Sequence, residues 1–258
     1  MINNSKLVFA LIFTMGLTVN MANATIVRFE TSLGDFDVNL YDETTPQSVA
    51  NFLTYVTAGS YGNTLFHRSI NGFILQGGGF TYDNSWPATS IQTNATVNNE
   101  PIYSNVRGTI AYAKLGGQPD SATSQWYFNL TNNNSNDPNS LDNQNGGFTV
   151  FGEVTGDGMA IIDSIVALNT FDLSGAFTDI PLQNYTEGTD PNDTNIILIT
   201  SIEVIDSAVN TASGLNPTAT NRSESSSSSS GGGAFNLVMM ILLVAFSRLK
   251  INKRIFKN

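Results

Sequence analysis

The chain has 258 residues, a formal net charge of −10, one histidine and no cysteine. The lack of cysteine excludes disulfides, thiol catalysis and cysteine-ligated zinc. The acidic balance argues against binding a phosphate backbone, which needs clustered cations, and the length suits one or two domains.

Residues 1–24 read as a secretory signal. Lys6 supplies a positive start, Leu7 to Val19 is an apolar run too short to span a membrane, and Ala22-Asn23-Ala24 fits a small-x-small cleavage site before Thr25. Ile26 to Thr31 then reads as a strand, and after a turn at Ser32 to Gly34 the stretch Asp35 to Leu40 alternates polar and apolar residues, which makes a hairpin. Thr45 is a candidate N-cap, Pro46 suits the first helical position, and Gly59 suits the stop. Between them Val49, Phe52, Leu53 and Val56 recur at helical spacing.

Short strands are expected at Leu65–His67, Phe73–Gln76, Thr109–Ala113, Gln125–Leu130 and Val150–Val154. Met159 to Leu168 places Met159, Ile162, Ile165 and Val166 on one face of a second helix, and Ile196 to Val204 reads as a closing strand. Asn132–Asn145 and Thr170–Asn195 read as long surface loops. Many short strands with two helices suggest a barrel whose ends are plugged by helices.

Residues 207–233 read as a Ser/Gly-rich linker, with Ser223 to Ser230 almost all serine and Gly231-Gly232-Gly233 behind it. Ala234 to Phe246 is apolar except for Asn236, and Arg248, Lys250, Lys253, Arg254 and Lys257 follow without an acidic residue. As a helix the apolar run reaches roughly 20 Å, against a hydrocarbon core of about 30 Å, so it is a poor permanent anchor. This order of parts over 207–258 resembles the glycine-glycine C-terminal sorting signal (GlyGly-CTERM) of Gram-negative bacteria. The resemblance implies a rhombosortase-like processing protease as partner, membrane contact through 234–258 before cleavage, and a product in the periplasm, at the cell surface or secreted. Without both ends, Arg28, Arg68, Arg107, Lys114 and Arg222 would be the only cations facing all twenty-one acidic residues.

The chemistry narrows around Leu65–Phe80, LFHRSINGFILQGGGF, which holds the single histidine. A Ser-His-Asp triad would have to use His67, and no Gly-x-Ser-x-Gly elbow accompanies it. Its place in the apolar run Leu65-Phe66-His67 favours a structural histidine. Asp190, Asn192 and Asp193 offer oxygen donors to calcium, but that run lacks the Gly and terminal Glu of an EF-hand loop and reads as solvated loop. Gly77-Gly78-Gly79 has no following Lys-Ser/Thr and no helical pattern, which favours close backbone approach over phosphate binding. Arg68 remains: a rigid, permanently charged donor fork near Phe66, Phe73, Ile74 and Gln76. It suits a carbonyl or carboxylate ligand as well as it suits a surface ion pair.

Phe66-His67-Arg68-Ser69-Ile70-Asn71-Gly72-Phe73-Ile74-Leu75-Gln76-Gly77-Gly78 resembles the cyclophilin signature FHR-x-I-x-GF-x-x-QGG. The resemblance continues through Arg107–Ala113, Ser121–Asn129 and Phe148–Val154, and covers Thr25 to Asp206. Similarity to the exported bacterial cyclophilins implies a domain over 25–206, a closed eight-stranded antiparallel barrel capped by two helices, and a monomer. It also implies a peptidyl-prolyl cis-trans isomerase that acts on proline-containing polypeptides with no cofactor, metal or nucleic acid. The family's catalytic arginine falls on Arg68 and its proline pocket on Phe73, Ile74, Tyr127, Leu141 and Phe148. Its backbone-gripping groups fall on Gln76 and Gln125, with Ala113 and Lys114 lining the adjoining groove.

There are departures from the family pattern. Ile74 stands where Met is frequent, Trp126 and Tyr127 stand where two Phe are usual, and Lys114 replaces an Asn. Ser140 aligns with a frequent rim Trp, which lowers the expectation of cyclosporin binding. The Tyr127 hydroxyl would need a polar partner or water at the pocket rim. The rival readings are a low-turnover proline-peptide binding module or chaperone at the cell surface, and a hydrolase using His67.

Overall fold

The computed structural model describes residues 25–208, 211–212 and 214–222. The signal expected over 1–24 lies outside the described residues, as do the serine run, the glycines, the apolar segment and the basic tail beyond residue 222. No helix among the described residues is long and apolar enough to cross a membrane.

β1 (Ile26–Thr31) and β2 (Phe36–Leu40) form the expected hairpin, in register at Arg28 and Asp37. Those two side chains pair at 2.8 Å across it. Gly34 carries φ +125 at the turn, a conformation that L side chains rarely adopt. α1 (Pro46–Thr57) starts on Pro46 as expected, but the Thr45 side chain does not cap it. The Thr45 hydroxyl donates to the Tyr41 carbonyl instead. The free amides of the first turn go to Glu100, whose carboxylate accepts from Ser48 N at 2.9 Å and Gln47 N at 3.3 Å. An anion at a helix N-terminus is favoured by the helix dipole, and here it arrives from a distant loop.

The remaining strands are short: β3 (Thr64–Leu65), β4 (Arg68–Ile70), β5 (Ile74–Gly77), β6 (Phe80–Thr81), β7 (Thr89–Ser90), β8 (Thr109–Tyr112), β9 (Trp126–Asn129) and β10 (Val150–Val154). α2 (Gly158–Val166), β11 (Thr170–Phe171), β12 (Ile180–Pro181) and β13 (Leu198–Asp206) complete the set. The main sheet runs β4-β5-β9-β8-β10-β2-β1-β13-β3-β6-β7, and its strand pairs are antiparallel.

The mainly β, two-helix class agrees with expectation, but the closed eight-stranded ladder does not. The hydrogen bonds build an open eleven-stranded sheet. The reason lies at Phe66-His67, the two residues between β3 and β4. Phe66 N donates to Ile197 O at 3.4 Å, while His67 N donates to Gln76 O at 3.1 Å. Consecutive residues thus turn to neighbours on opposite sides, so one chain segment supplies two separate strands, and β6 and β7 extend the sheet beyond β3.

Alternation along each strand sorts side chains onto two faces. Trp126 and Phe128 of β9 enter the main core with Phe29, Phe36, Phe52, Leu75, Ile110 and Phe151. The helices close that core through Val49, Phe52 and Val56 from α1 and Ile162 and Ile165 from α2. Two expected loops are built into the fold instead. In 170–195, β11 and β12 pair, and Phe177, Ile180 and Leu182 are buried with Leu65, Tyr82 and Ile196. In 132–145, Ser140, Leu141 and Asp142 are buried. Isolated apolar residues without a period gave no sign of this.

The residues expected to open a linker also dock. Ser104 N donates to Thr218 O at 2.8 Å, Thr220 N to Ile102 O at 3.0 Å, and Asn39 Nδ2 to Thr211 O at 2.8 Å.

Candidate active site

The second face of the sheet carries several of the residues expected in the site. Cross-strand register places Arg68 opposite Gln76, Gln76 opposite Tyr127, Tyr127 opposite Ala111, and Ala111 opposite Val150. These residues form one row perpendicular to the strands. At about 4.8 Å per strand, Arg68 to Ala111 spans about 14 Å, the length of roughly four extended residues. The adjacent row, Ser69-Leu75-Phe128-Ile110, has its apolar members in the main core.

Arg68 stands at the head of the row, on β4. Its side chain is 17% exposed, and its Nε lies 3.6 Å from Asp179 Oδ2. Nη1 is buried and has no hydrogen-bond partner. Burial pulls the guanidinium pKa down, and the Asp179 carboxylate opposes that shift. The ion-pair and ligand readings of Arg68 therefore coexist: one edge of the fork faces a carboxylate, and another donor is unused.

Across the strand, Gln76 is buried and donates through Nε2 to Gln125 Oε1 at 2.9 Å, leaving its own Oε1 buried without a partner. The triple glycine makes this packing possible. A Cβ on Gly77 would come within 2.8 Å of the Trp126 ring, and one on Gly79 within 2.9 Å of the Gln125 side chain. At Gly78, with φ +74, it would meet Trp126 Nε1 at 2.6 Å and Ser124 O at 2.7 Å. The run serves close backbone approach.

The apolar residues predicted together are together. Ile74, Ala111, Ala113, Tyr127, Leu141 and Phe148 form one buried cluster, with Phe73 half-buried against it. The Tyr127 and Phe148 rings meet edge to face, 6.0 Å between centroids at 71°. The Tyr127 hydroxyl departs from expectation: its partner is Asn105 Oδ1, 2.8 Å away and fully buried behind the pocket rather than at the rim. Burial and the nearby Asp142 charge hold that phenol well above its usual pKa, so it stays a donor.

Lys114 also points inward. It is 3% exposed, its Nζ donates to Gly147 O at 2.6 Å and Asn145 O at 3.0 Å, and it sits 4.7 Å from the centre of the Phe148 ring. Burial lowers its pKa to about 8. Its ammonium is thus engaged by the carbonyls of the 145–147 segment. Ser140 is buried and accepts from Asn143.

His67 neighbours the row without joining it. It is 3% exposed, edge-on to Phe80 at 5.0 Å, and its Nδ1 has no partner. Burial, with a smaller effect from Arg68, pushes its pKa down to about 3, so it is neutral at physiological pH. A cavity of about 150 Å³ between Tyr41, Thr44, Tyr103, Leu215 and Pro217 shares no residue with the row. The row is buried for most of its length, with Gln76, Tyr127, Ala111 and Val150 each 2% exposed or less, and Arg68 at its head keeps a partly exposed side chain. Sequence reasoning missed Asp179 and Asn105, which reach the site from far along the chain and belong to no local motif.

Comparison with known proteins gives a consistent result. A family model described as cyclophilin type peptidyl-prolyl cis-trans isomerase/CLD matches residues 26–187. Peptidyl-prolyl cis-trans isomerase B of Escherichia coli is 38% identical over 159 residues, 62% of this chain and 94% of its own. A peptidyl-prolyl cis-trans isomerase A of Dickeya dadantii is 39% identical over 160 residues, 61% of this chain and 79% of its own. A crystal structure of a cyclophilin type isomerase of Cryptosporidium parvum shares the fold, with a TM-score of 0.50 at 23% identity over 71% of this chain and 98% of that one.

Proposed function

The chain belongs to the cyclophilin-type peptidyl-prolyl cis-trans isomerase family and is such an isomerase, and from that premise we propose that Arg68 is its catalytic residue. Rotation about an X-Pro bond faces a barrier of about 20 kcal/mol, because amide resonance gives the C–N bond partial double-bond character. No covalent bond breaks and no proton moves. The enzyme need only bind the twisted amide better than either planar form.

In the twisted state the prolyl nitrogen regains lone-pair character, and Arg68 donates to it or holds the proline carbonyl. The ring is anchored by Phe73, Ile74, Tyr127, Leu141 and Phe148, while Gln76 and Gln125 grip the flanking backbone and Ala113 lines the adjoining groove. Asp179 holds one edge of the guanidinium. The observation that carries this reading is the buried, unpartnered Arg68 Nη1, at the head of a row that ends in an apolar pocket. Loss of one charged hydrogen bond costs about 1.5–3 kcal/mol, so Arg68→Ala should slow isomerisation of a proline-containing peptide by about 10- to 150-fold. Equal rates would remove Arg68 from the reaction, and an inactive wild type would overturn the whole reading.

The clients are exported or envelope proteins in this proposal. Its support is the order of charge, apolar run and cleavage site in residues 1–24, and the linker, glycines, apolar segment and basic tail of 207–258. A rhombosortase-like protease removes the tail near the glycines. Mass spectrometry of the protein from its native host should find a C-terminus between Gly231 and Gly233, and an end at Asn258 would sink the processing step.

A further inference from the structure

We propose that Asn105 is a positioning residue for the proline pocket, setting the distance between its Tyr127 and Phe148 walls. The inference rests on the isomerase reading of that pocket. Asn105 is 0% exposed, and every hydrogen-bonding group it owns is used. Its Oδ1 accepts from the Tyr127 hydroxyl at 2.8 Å and from Asn129 Nδ2 at 3.2 Å. Its Nδ2 donates to Phe148 O at 3.1 Å and to Asp142 Oδ1 at 3.0 Å. Its backbone N–H goes to the same Asp142 oxygen at 2.8 Å, and its carbonyl accepts from Asn133 N at 2.8 Å.

The amide can sit only one way round. Turned over, its oxygen would face the Asp142 carboxylate and the Phe148 carbonyl, and its NH2 would face the Asn129 NH2. One side chain therefore holds the tip of one pocket wall and the backbone of the adjoining wall, in a fixed orientation.

The rest of the network extends the same brace. Asn133 Nδ2 donates to Phe73 O at 3.0 Å, Asn133 O accepts from Leu141 N at 2.9 Å, and Leu141 O accepts from Phe148 N at 2.9 Å. A buried polar layer thus ties down four apolar pocket residues from behind. A satisfied buried network gives a single arrangement, and a half-satisfied one gives several. It also leaves only the ring of Tyr127, not its hydroxyl, facing the ligand.

The test measures kcat and KM separately for isomerisation of a proline-containing peptide by the wild type and Asn105→Ala. Circular dichroism confirms the fold of each. The expected result is a KM raised by about 10-fold with kcat within two-fold. A pocket that merely lost stability would leave both constants of the folded fraction in place. An unchanged KM, or a fall in kcat alone, overturns the inference while the isomerase reading stands. An inactive wild type overturns that reading instead. If Asn105→Ala does not fold, Tyr127→Phe decides. It removes one of Asn105's bonds and keeps the others, and should raise KM about three-fold; a wild-type KM there overturns the proposal.

Discussion

Acidifying this protein from pH 7 to pH 5 should remove about 2 kcal/mol of stability through one side chain, the neutral His67. Its ring is almost wholly buried, with Nδ1 unpartnered and Arg68 next in the chain. Burial first, and the Arg68 charge second, hold its pKa near about 3. In the unfolded chain the same group titrates near about 6.5. Between those values the unfolded state binds a proton that the fold refuses, so stability is full above pH 6.5 and falls with pH toward about 3. Each pH unit inside that window is worth about 1.4 kcal/mol, which gives about 2 kcal/mol by pH 5. The comparison is His67→Phe, which keeps an aromatic edge against Phe80 and removes the titration. Urea unfolding of both chains at pH 7 and pH 5 supplies the numbers. The carboxylates are common to both and cancel in the difference, and no other histidine exists to confuse it. Wild type should lose about 2 kcal/mol more than the variant; parallel losses would refute the burial argument. The variant should keep kcat/KM within about three-fold, because the reaction moves no proton.

Gly78→Ala should cost about 2–4 kcal/mol, since the backbone sits at φ +74 and the new Cβ would lie 2.6 Å from Trp126 Nε1 and 2.7 Å from Ser124 O. Gly117→Ala is the control, with a similar φ of +73 and nothing within 4 Å, and should lose about 1 kcal/mol. Thermal unfolding checks both, and equal losses would show that φ alone governs the site. A chain ending at Asp206 should stay folded but melt several degrees below one ending at Arg222. The docked segment adds backbone bonds to Ile102 and Ser104, an Arg222 contact to the Gly146 carbonyl and burial of Leu215, a net of about 1–2 kcal/mol after ordering. An unchanged melting temperature would show that the segment adds no stability.

Much of this molecule was legible from its residues. The β1-β2 hairpin and both helices followed from period-two and period-3.6 patterns, and the strand expected at Phe73–Gln76 is β5, whereas the one expected at Leu65–His67 ends at Leu65 and β4 (Arg68–Ile70) was not foreseen. The residues expected around Arg68 do assemble on one sheet face, because strict alternation puts Arg68, Gln76, Tyr127 and Ala111 on one side and Leu75, Phe128 and Ile110 on the other. What failed was local grammar applied where a distant group had taken over. Thr45 does not cap α1 because Glu100 does. The loop 170–195 is not a surface loop because Phe177, Ile180 and Leu182 fill a satellite core.

By itself the sequence determined the mainly β, two-helix class of fold and the place of the single histidine in an apolar run. Those properties rest on neighbours along the chain, which the pattern of residues states directly. Only the tertiary structure decided where the sheet opens, that Asp179 steadies Arg68, and that Asn105 stands behind Tyr127. Each of these depends on polar groups that must be paired once water is excluded, and the partners come from parts of the chain that no short-range pattern connects.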